Sequence, residues 1–144
     1  MRGILFALFL VVPVGACSQR APTHDLVRPE NESIRIPRSR IADGRVHFYT
    51  FEHKGKNVNF LVRTDGKGAA HAHLDACYAC YRYKRGFTVE DSNLVCIACR
   101  LEYAISEEVW DYIGACAPIP VHSSIDGDDL IIETSILARA SRYF

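Results

Sequence analysis

Apolar and polar side chains begin to alternate at Val46. Val46, Phe48, Thr50 and Glu52 interleave with His47, Tyr49, Phe51 and His53, a period-two run rich in aromatic and β-branched residues that predicts a strand. Lys54-Gly55-Lys56-Asn57 reads as a turn. Val58, Phe60 and Val62 then alternate with Asn59, Leu61 and Arg63 as a second strand. Asp65-Gly66-Lys67-Gly68 makes another turn, and Ala69 to Leu74 predicts a third strand that delivers the chain into Cys77. This is the pattern of a β-meander.

Beyond Cys77 the predicted elements shorten. Lys84 to Val89 and Asn93 to Cys96 read as strands around a polar turn at Glu90-Asp91-Ser92. Ser106 is placed to cap a helical turn through Glu107, Glu108 and Trp110. Two prolines predict irregular chain from Gly114 to Val121. Leu130 to Thr134 is an apolar strand, and Ser135 to Arg142 predicts a C-terminal helix or turn. The expectation is a small α+β fold made mostly of short antiparallel β-strands: a meander followed by a cysteine-bearing hairpin.

The N-terminus breaks the pattern. One base, Arg2, precedes uncharged Gly3 to Ala16, which ends in small residues before Cys17. That is the layout of a secretory signal. As a helix these positions would reach only about 21 Å, short of the roughly 30 Å hydrocarbon core. Val14-Gly15-Ala16-Cys17 also resembles a bacterial lipobox, which makes Cys17 a lipidation site. Ser18 to about Arg40 is polar and contains Pro22, Pro29 and Pro37, and reads as a spacer with an early strand at Ser33 to Ile36. The expected organisation is a signal peptide over 1–16, a lipidated N-terminus and polar linker over 17–32, and one domain over 33–144. The protein is then exported to the cell envelope or periplasm and held at a membrane by its lipid anchor.

Charge narrows the partners. Lys plus Arg and Asp plus Glu each number 17, so no electrostatic case exists for nucleic acid. Six cysteines change the picture more. After Cys17 there remain Cys77, Cys80, Cys96, Cys99 and Cys116, an odd set that cannot pair completely within the chain. Cys77-x-x-Cys80 and Cys96-x-x-Cys99 are separated by fifteen residues. Each C-x-x-C can form a knuckle that points two sulfurs inward, and a hairpin of that length brings two knuckles face to face, as in zinc-ribbon or rubredoxin-like sites. Four thiolates select zinc, iron in single sites or clusters, or monovalent copper. Disulfides and an exchanging dithiol are the alternatives, since an exported protein meets an oxidising compartment.

Other residues bear on this site. Cys116 reads as a fifth ligand, a replacement ligand or a buried thiol. His71 and His73 share one face of the incoming strand and offer a second metal position, or are solvent-facing strand residues. Tyr78, Tyr81 and Tyr83 are placed to shield the sulfurs from water, and Asp75 to cap a turn. No nucleophile–base pair or phosphate loop stands out, so an enzyme has little support. A thiol oxidoreductase using Cys116 with one C-x-x-C is its best form.

The run Asp75-Ala76-Cys77-Tyr78-Ala79-Cys80-Tyr81-Arg82, then Lys84-Arg85-Gly86-Phe87, Val95-Cys96-Ile97-Ala98-Cys99 and Ile113-Gly114-Ala115-Cys116-Ala117-Pro118-Ile119-Pro120 resembles the FtrD-like membrane iron–sulfur family. The resemblance covers about residues 33 to 144. Arg100 stands where that family usually has glycine, and Ala115 where it has a second one. The resemblance implies an iron–sulfur cofactor held by Cys77, Cys80, Cys96, Cys99 and Cys116, with zinc and copper as the alternatives. It also implies work beside a membrane iron permease or redox partner protein. Electron transfer or metal handling is therefore the first expectation, and a structural zinc-ribbon interaction module the second.

Overall fold

The computed structural model describes residues 21–110 and 116–144. In chain order these form β1 (Asp25–Val27), β2 (Ser33–Pro37), α1 (Arg38–Ile41), β3 (Val46–His53), β4 (Lys56–Thr64) and β5 (Ala70–Cys77). A 3₁₀ turn, Tyr81–Tyr83, leads to β6 (Phe87–Glu90), β7 (Asn93–Cys96) and β8 (Glu102–Ala104). Then follow β9 (Pro118–Val121), β10 (Ser124–Asp126), β11 (Asp129–Glu133), α2 (Thr134–Ala140) and a closing 3₁₀ turn, Ser141–Tyr143. The fold is mostly antiparallel strand with few helices, as expected. The proposed signal and Cys17 lie outside the described residues, and among those described no helix is long and apolar enough to cross a membrane.

The meander forms as β3, β4 and β5 in antiparallel order. Its first turn is tighter than the expected four residues. Lys54 and Gly55 both take positive φ, 48° and 75°, and His53 pairs directly with Lys56. That is the two-residue hairpin geometry whose twist matches the flanking strands. At the second turn the Asp65 carboxylate accepts the N–H groups of Lys67 and Ala69, both at 2.9 Å, which fixes the entry into β5.

Two flanking strands complete this sheet in the order β1-β3-β4-β5-β9, and both depart from expectation. The expected linker contributes β1, which runs parallel to β3 with Leu26 opposite Thr50. Three residues between Pro22 and Pro29 give too little pattern to read as a strand, yet they cover an otherwise open sheet edge. The proline-bearing run expected to be irregular contributes β9, with Pro120 opposite His73 and Pro118 opposite Cys77 across a register shift. An edge strand tolerates prolines because their missing N–H can face away from the ladder.

Two smaller sheets, β10-β11-β2 and β6-β7-β8, sandwich the meander. On one face Val58, Phe60 and Val62 of β4 pack with Ile34, Leu130, Ile132 and Leu137. On the other, Leu61 packs with Phe48, Phe87, Leu94, Tyr103, Trp110, Cys77 and Cys96. Strand β4 is thus buried on both faces, including Leu61 and Arg63, where alternation alone suggested one polar face. Each large apolar side chain so buried contributes roughly 1.5–3 kcal/mol.

Arg63 explains the failure of the helix expected after Ser106. Its fully buried guanidinium stacks over Trp110 at 3.9 Å and donates to the carbonyls of Ile105 at 2.8 Å and Glu107 at 2.6 Å. Those carbonyls serve the cation instead of a helical ladder, and the segment stays in turns and bends. Burial lowers the Arg63 pKa to about 10, against the pull of Asp65 and Glu107.

Candidate metal centre

The second core ends in sulfur. Cys77 closes β5, and the chain then turns so that the N–H of Cys80 points at the Cys77 sulfur, 3.1 Å away. Tyr83 and Lys84 donate back to the carbonyls of Cys80 and Tyr81, both at 2.9 Å, which makes the 3₁₀ turn. Lys84 and Gly86 take φ values of 50° and 64° to swing the chain into β6. There Asp75 receives the N–H of Phe87 at 2.7 Å, confirming it as a turn-fixing acceptor.

The second knuckle repeats the device. Cys96 closes β7 opposite Phe87, and Ile97 donates to the Gly86 carbonyl at 3.1 Å, tying one knuckle to the other. Arg100 and Leu101 close the turn: Arg100 donates to the Cys96 carbonyl, and Cys96 to that of Leu101, both at 2.9 Å. Arg100 adopts φ 62°. This is the left-handed conformation that favours glycine. The Arg100 guanidinium grips the Glu90 carboxylate at 2.8 and 2.7 Å.

Cys116 arrives by a different route. It lies two residues before Pro118, the β9 partner of Cys77, and its carbonyl accepts the Tyr103 hydroxyl. Gly114 and Ala115 lie outside the described residues. The five cysteines among the described residues are free thiols. The sulfurs of Cys77, Cys80 and Cys96 lie within 4.8 Å of one another, and so do those of Cys80, Cys99 and Cys116.

The donor chemistry suits a soft metal. Burial pushes the Cys96 thiol up to about 11, against the N–H groups of Cys99 and Ala98 that face its sulfur. Burial also raises Cys80, followed by its hydrogen bond with Cys77, and raises Cys116, followed by its bond with Cys99. Cys99 moves the other way. Burial pushes it up, but the Leu101 N–H and hydrogen bonds from Cys96, Cys80 and Cys116 outweigh that, and its pKa falls. The neighbouring donors thus favour loss of the Cys99 proton over the others, and metal binding at these sulfurs would release protons.

The two histidines have other partners. His71 bonds the Asp65 carboxylate at 2.8 Å, and this bond leads the causes that lower Asp65 to about 2. His73 is buried, with its ring 4.8 Å from that of Trp110, and is not solvent-facing. Neither belongs to a group of three possible ligands among the described residues. Of the tyrosines, Tyr81 packs edge-on to Tyr143 at 5.2 Å, but Tyr78 and Tyr83 are 49% and 64% exposed and do not shield the sulfurs.

One neighbour of the site escaped the sequence reading. His24, inside the expected linker, bonds the free oxygen of Asp75 at 2.9 Å and packs edge-on to Phe48 at 5.4 Å. With Asp75, Lys84, Cys77, Cys80 and Cys96 it lines a cavity of about 430 Å³ that opens on the first sulfur group. A lone histidine between prolines carries no periodic signal; only β1 brings it here.

A family model described as "Membrane iron-sulfur containing protein FtrD-like" matches residues 41–144, which carry all five cysteines. The chain belongs to this FtrD-like family. No curated protein and no solved structure matches it. The clustered thiols and inward N–H groups of this FtrD-like chain fit the iron–sulfur description, since converging soft donors with N–H groups facing them suit such a centre.

Proposed function

We propose that this FtrD-like chain is an exported, lipid-anchored metal protein. It holds an iron–sulfur or other cysteine-ligated centre and transfers electrons, or handles metal, for a membrane iron-transport or redox system. The supporting observation is the convergence of all five thiols of the domain from three separate segments. In this reading Cys77, Cys80, Cys96, Cys99 and Cys116 hold the centre, and Cys17 carries the lipid. When bound, an iron–sulfur centre supplies one-electron chemistry. The protein's part is to orient the sulfurs through two knuckles of zinc-ribbon or rubredoxin-like form and to aim N–H groups at them. Phe87, Leu94 and Tyr103 keep water away from one side. His71 and His73 remain a proposed second metal position only if His71 gives up Asp65.

A structural zinc module is the second reading. It is favoured by sulfur groups small enough to close around single ions, and a closed zinc site has no redox role. The deciding experiment is anaerobic purification of the full chain in detergent, with metal analysis, acid-labile sulfide and a visible spectrum on one sample. Iron, with or without sulfide, and visible absorbance are expected. Colourless zinc would overturn electron transfer, and a metal-free folded chain would overturn the metal reading itself.

A further inference from the structure

The four sulfurs of the two knuckles do not form one mutually close group among the described residues. They divide, with Cys116, into two groups of three, and Cys80 belongs to both. At a metal–sulfur bond of 2.3 Å, the sulfur–sulfur edge of a tetrahedral site is about 3.8 Å. Sulfurs already within 4.8 Å therefore need little movement to close on one ion per group.

We propose that the site holds two thiophilic metal ions bridged by the Cys80 thiolate. One lies among Cys77, Cys80 and Cys96, and the other among Cys80, Cys99 and Cys116. The inference deepens the metal-binding reading above and rests on it.

Three features argue for the shared arrangement. Cys80 sits in the turn between β5 and β6, where it can face both the β7 end, which carries Cys96, and the turn beyond it, which carries Cys99. Cys116 is placed independently, by the pairing of β9 with β5 and by the Tyr103 hydroxyl on its carbonyl. A one-ion site of four thiolates gives that positioning no purpose. Charge points the same way. Five thiolates around one divalent ion leave a net charge of about −3, and around two ions about −1, and uncompensated buried charge is costly.

The test uses the full chain in detergent, reduced and anaerobic, stripped of metal and titrated with cadmium ion alone. Binding is followed by sulfur-to-cadmium absorbance and counted by native mass spectrometry. Saturation at two equivalents is expected, with two thiolate-rich ¹¹³Cd resonances. Cys116→Ala should keep one equivalent, and so should Cys77→Ala, whereas Cys80→Ala should perturb both resonances. Because stripping metal can unfold a small site, cadmium is also exchanged directly into the as-purified protein and counted there. One equivalent in the parent chain, unchanged by Cys116→Ala, would overturn the two-ion centre and leave the proposed function standing. No cadmium bound by folded protein would overturn both.

Discussion

A Cβ placed on Gly86 would lie 2.5 Å from both carboxylate oxygens of Asp75. The close approach lets Asp75 take the Phe87 N–H on one oxygen and His24 on the other, and so lock the first knuckle to β6 and to β1. Gly86 also sits at φ 64°, where a side chain adds strain. Gly86→Ala therefore meets two penalties. The left-handed backbone alone costs roughly 1 kcal/mol, and displacing a buried, bonded carboxylate adds about 1–3 kcal/mol. Denaturant unfolding should show a loss of at least about 2 kcal/mol. A loss below about 1 kcal/mol would mean that Asp75 does not brace this turn.

Tyr103 reaches Cys116 from the third strand of the small sheet. It is almost wholly buried, its ring lies edge-on to Phe87 at 6.2 Å, and its hydroxyl donates to the Cys116 carbonyl. Tyr103→Phe keeps the ring and removes that donor. The expected loss is about 1 kcal/mol of stability. The more specific expectation is that Cys116 in the reduced, metal-free protein reacts faster with a maleimide while the other four thiols keep their rates, read by mass spectrometry of labelled peptides. Unchanged Cys116 labelling would show that β9 alone positions it.

The meander, the hairpin of β6 and β7 and the C-terminal helix were legible because each has its own period or turn residues. The two knuckles were legible from C-x-x-C spacing, whereas Cys116 was set beside them only by the family resemblance. What stayed hidden depends on partners distant in sequence. β1 and β9 are strands because the sheet offers them edges, not because Asp25–Val27 or a run with two prolines prefers to be extended. The segment after Ser106 lost its helix to Arg63, which comes from 42 residues earlier in the chain. The division of the sulfurs into two groups around Cys80 is a property of three-dimensional placement that the C-x-x-C spacing does not encode.

Arg100 tests how two small terms balance. At φ 62° a glycine would relieve roughly 1 kcal/mol of backbone strain. The substitution also gives up the ion pair with Glu90, and exposed pairs of this kind contribute about 0–1 kcal/mol. Arg100→Gly should therefore leave stability within about 0.5 kcal/mol of the parent at physiological salt, and improve relative to it in high salt, where the parent's pair is screened. Urea midpoints at two salt concentrations measure both. A loss above about 1.5 kcal/mol in high salt would assign the guanidinium a role beyond Glu90.

His73 makes folding sensitive to acid. Burial, then the charges of Arg63 and His71, lower its pKa from 6.5 to about 3. Its Nδ1 has no hydrogen-bond partner among the described residues. Asp65, the nearby acid, is engaged with His71. The folded state keeps this ring neutral, while the unfolded chain takes up a proton near pH 6.5. Between those values the unfolded state binds more protons, so stability must fall as pH drops from about 6.5 towards 3, and level off below that for this group. The steepest slope from one such group is about 1.4 kcal/mol per pH unit. Asp65 acts lower. Its carboxylate, held at about 2, contributes stability that is lost as pH falls from 3.8 towards that value. His73→Gln removes the first contribution and leaves the second, and the thiols titrate alike in both chains. The unfolding free energy of the variant should therefore fall less steeply than the parent's between pH 6.5 and 4. Parallel curves over that interval would show that His73 is protonated in the folded protein.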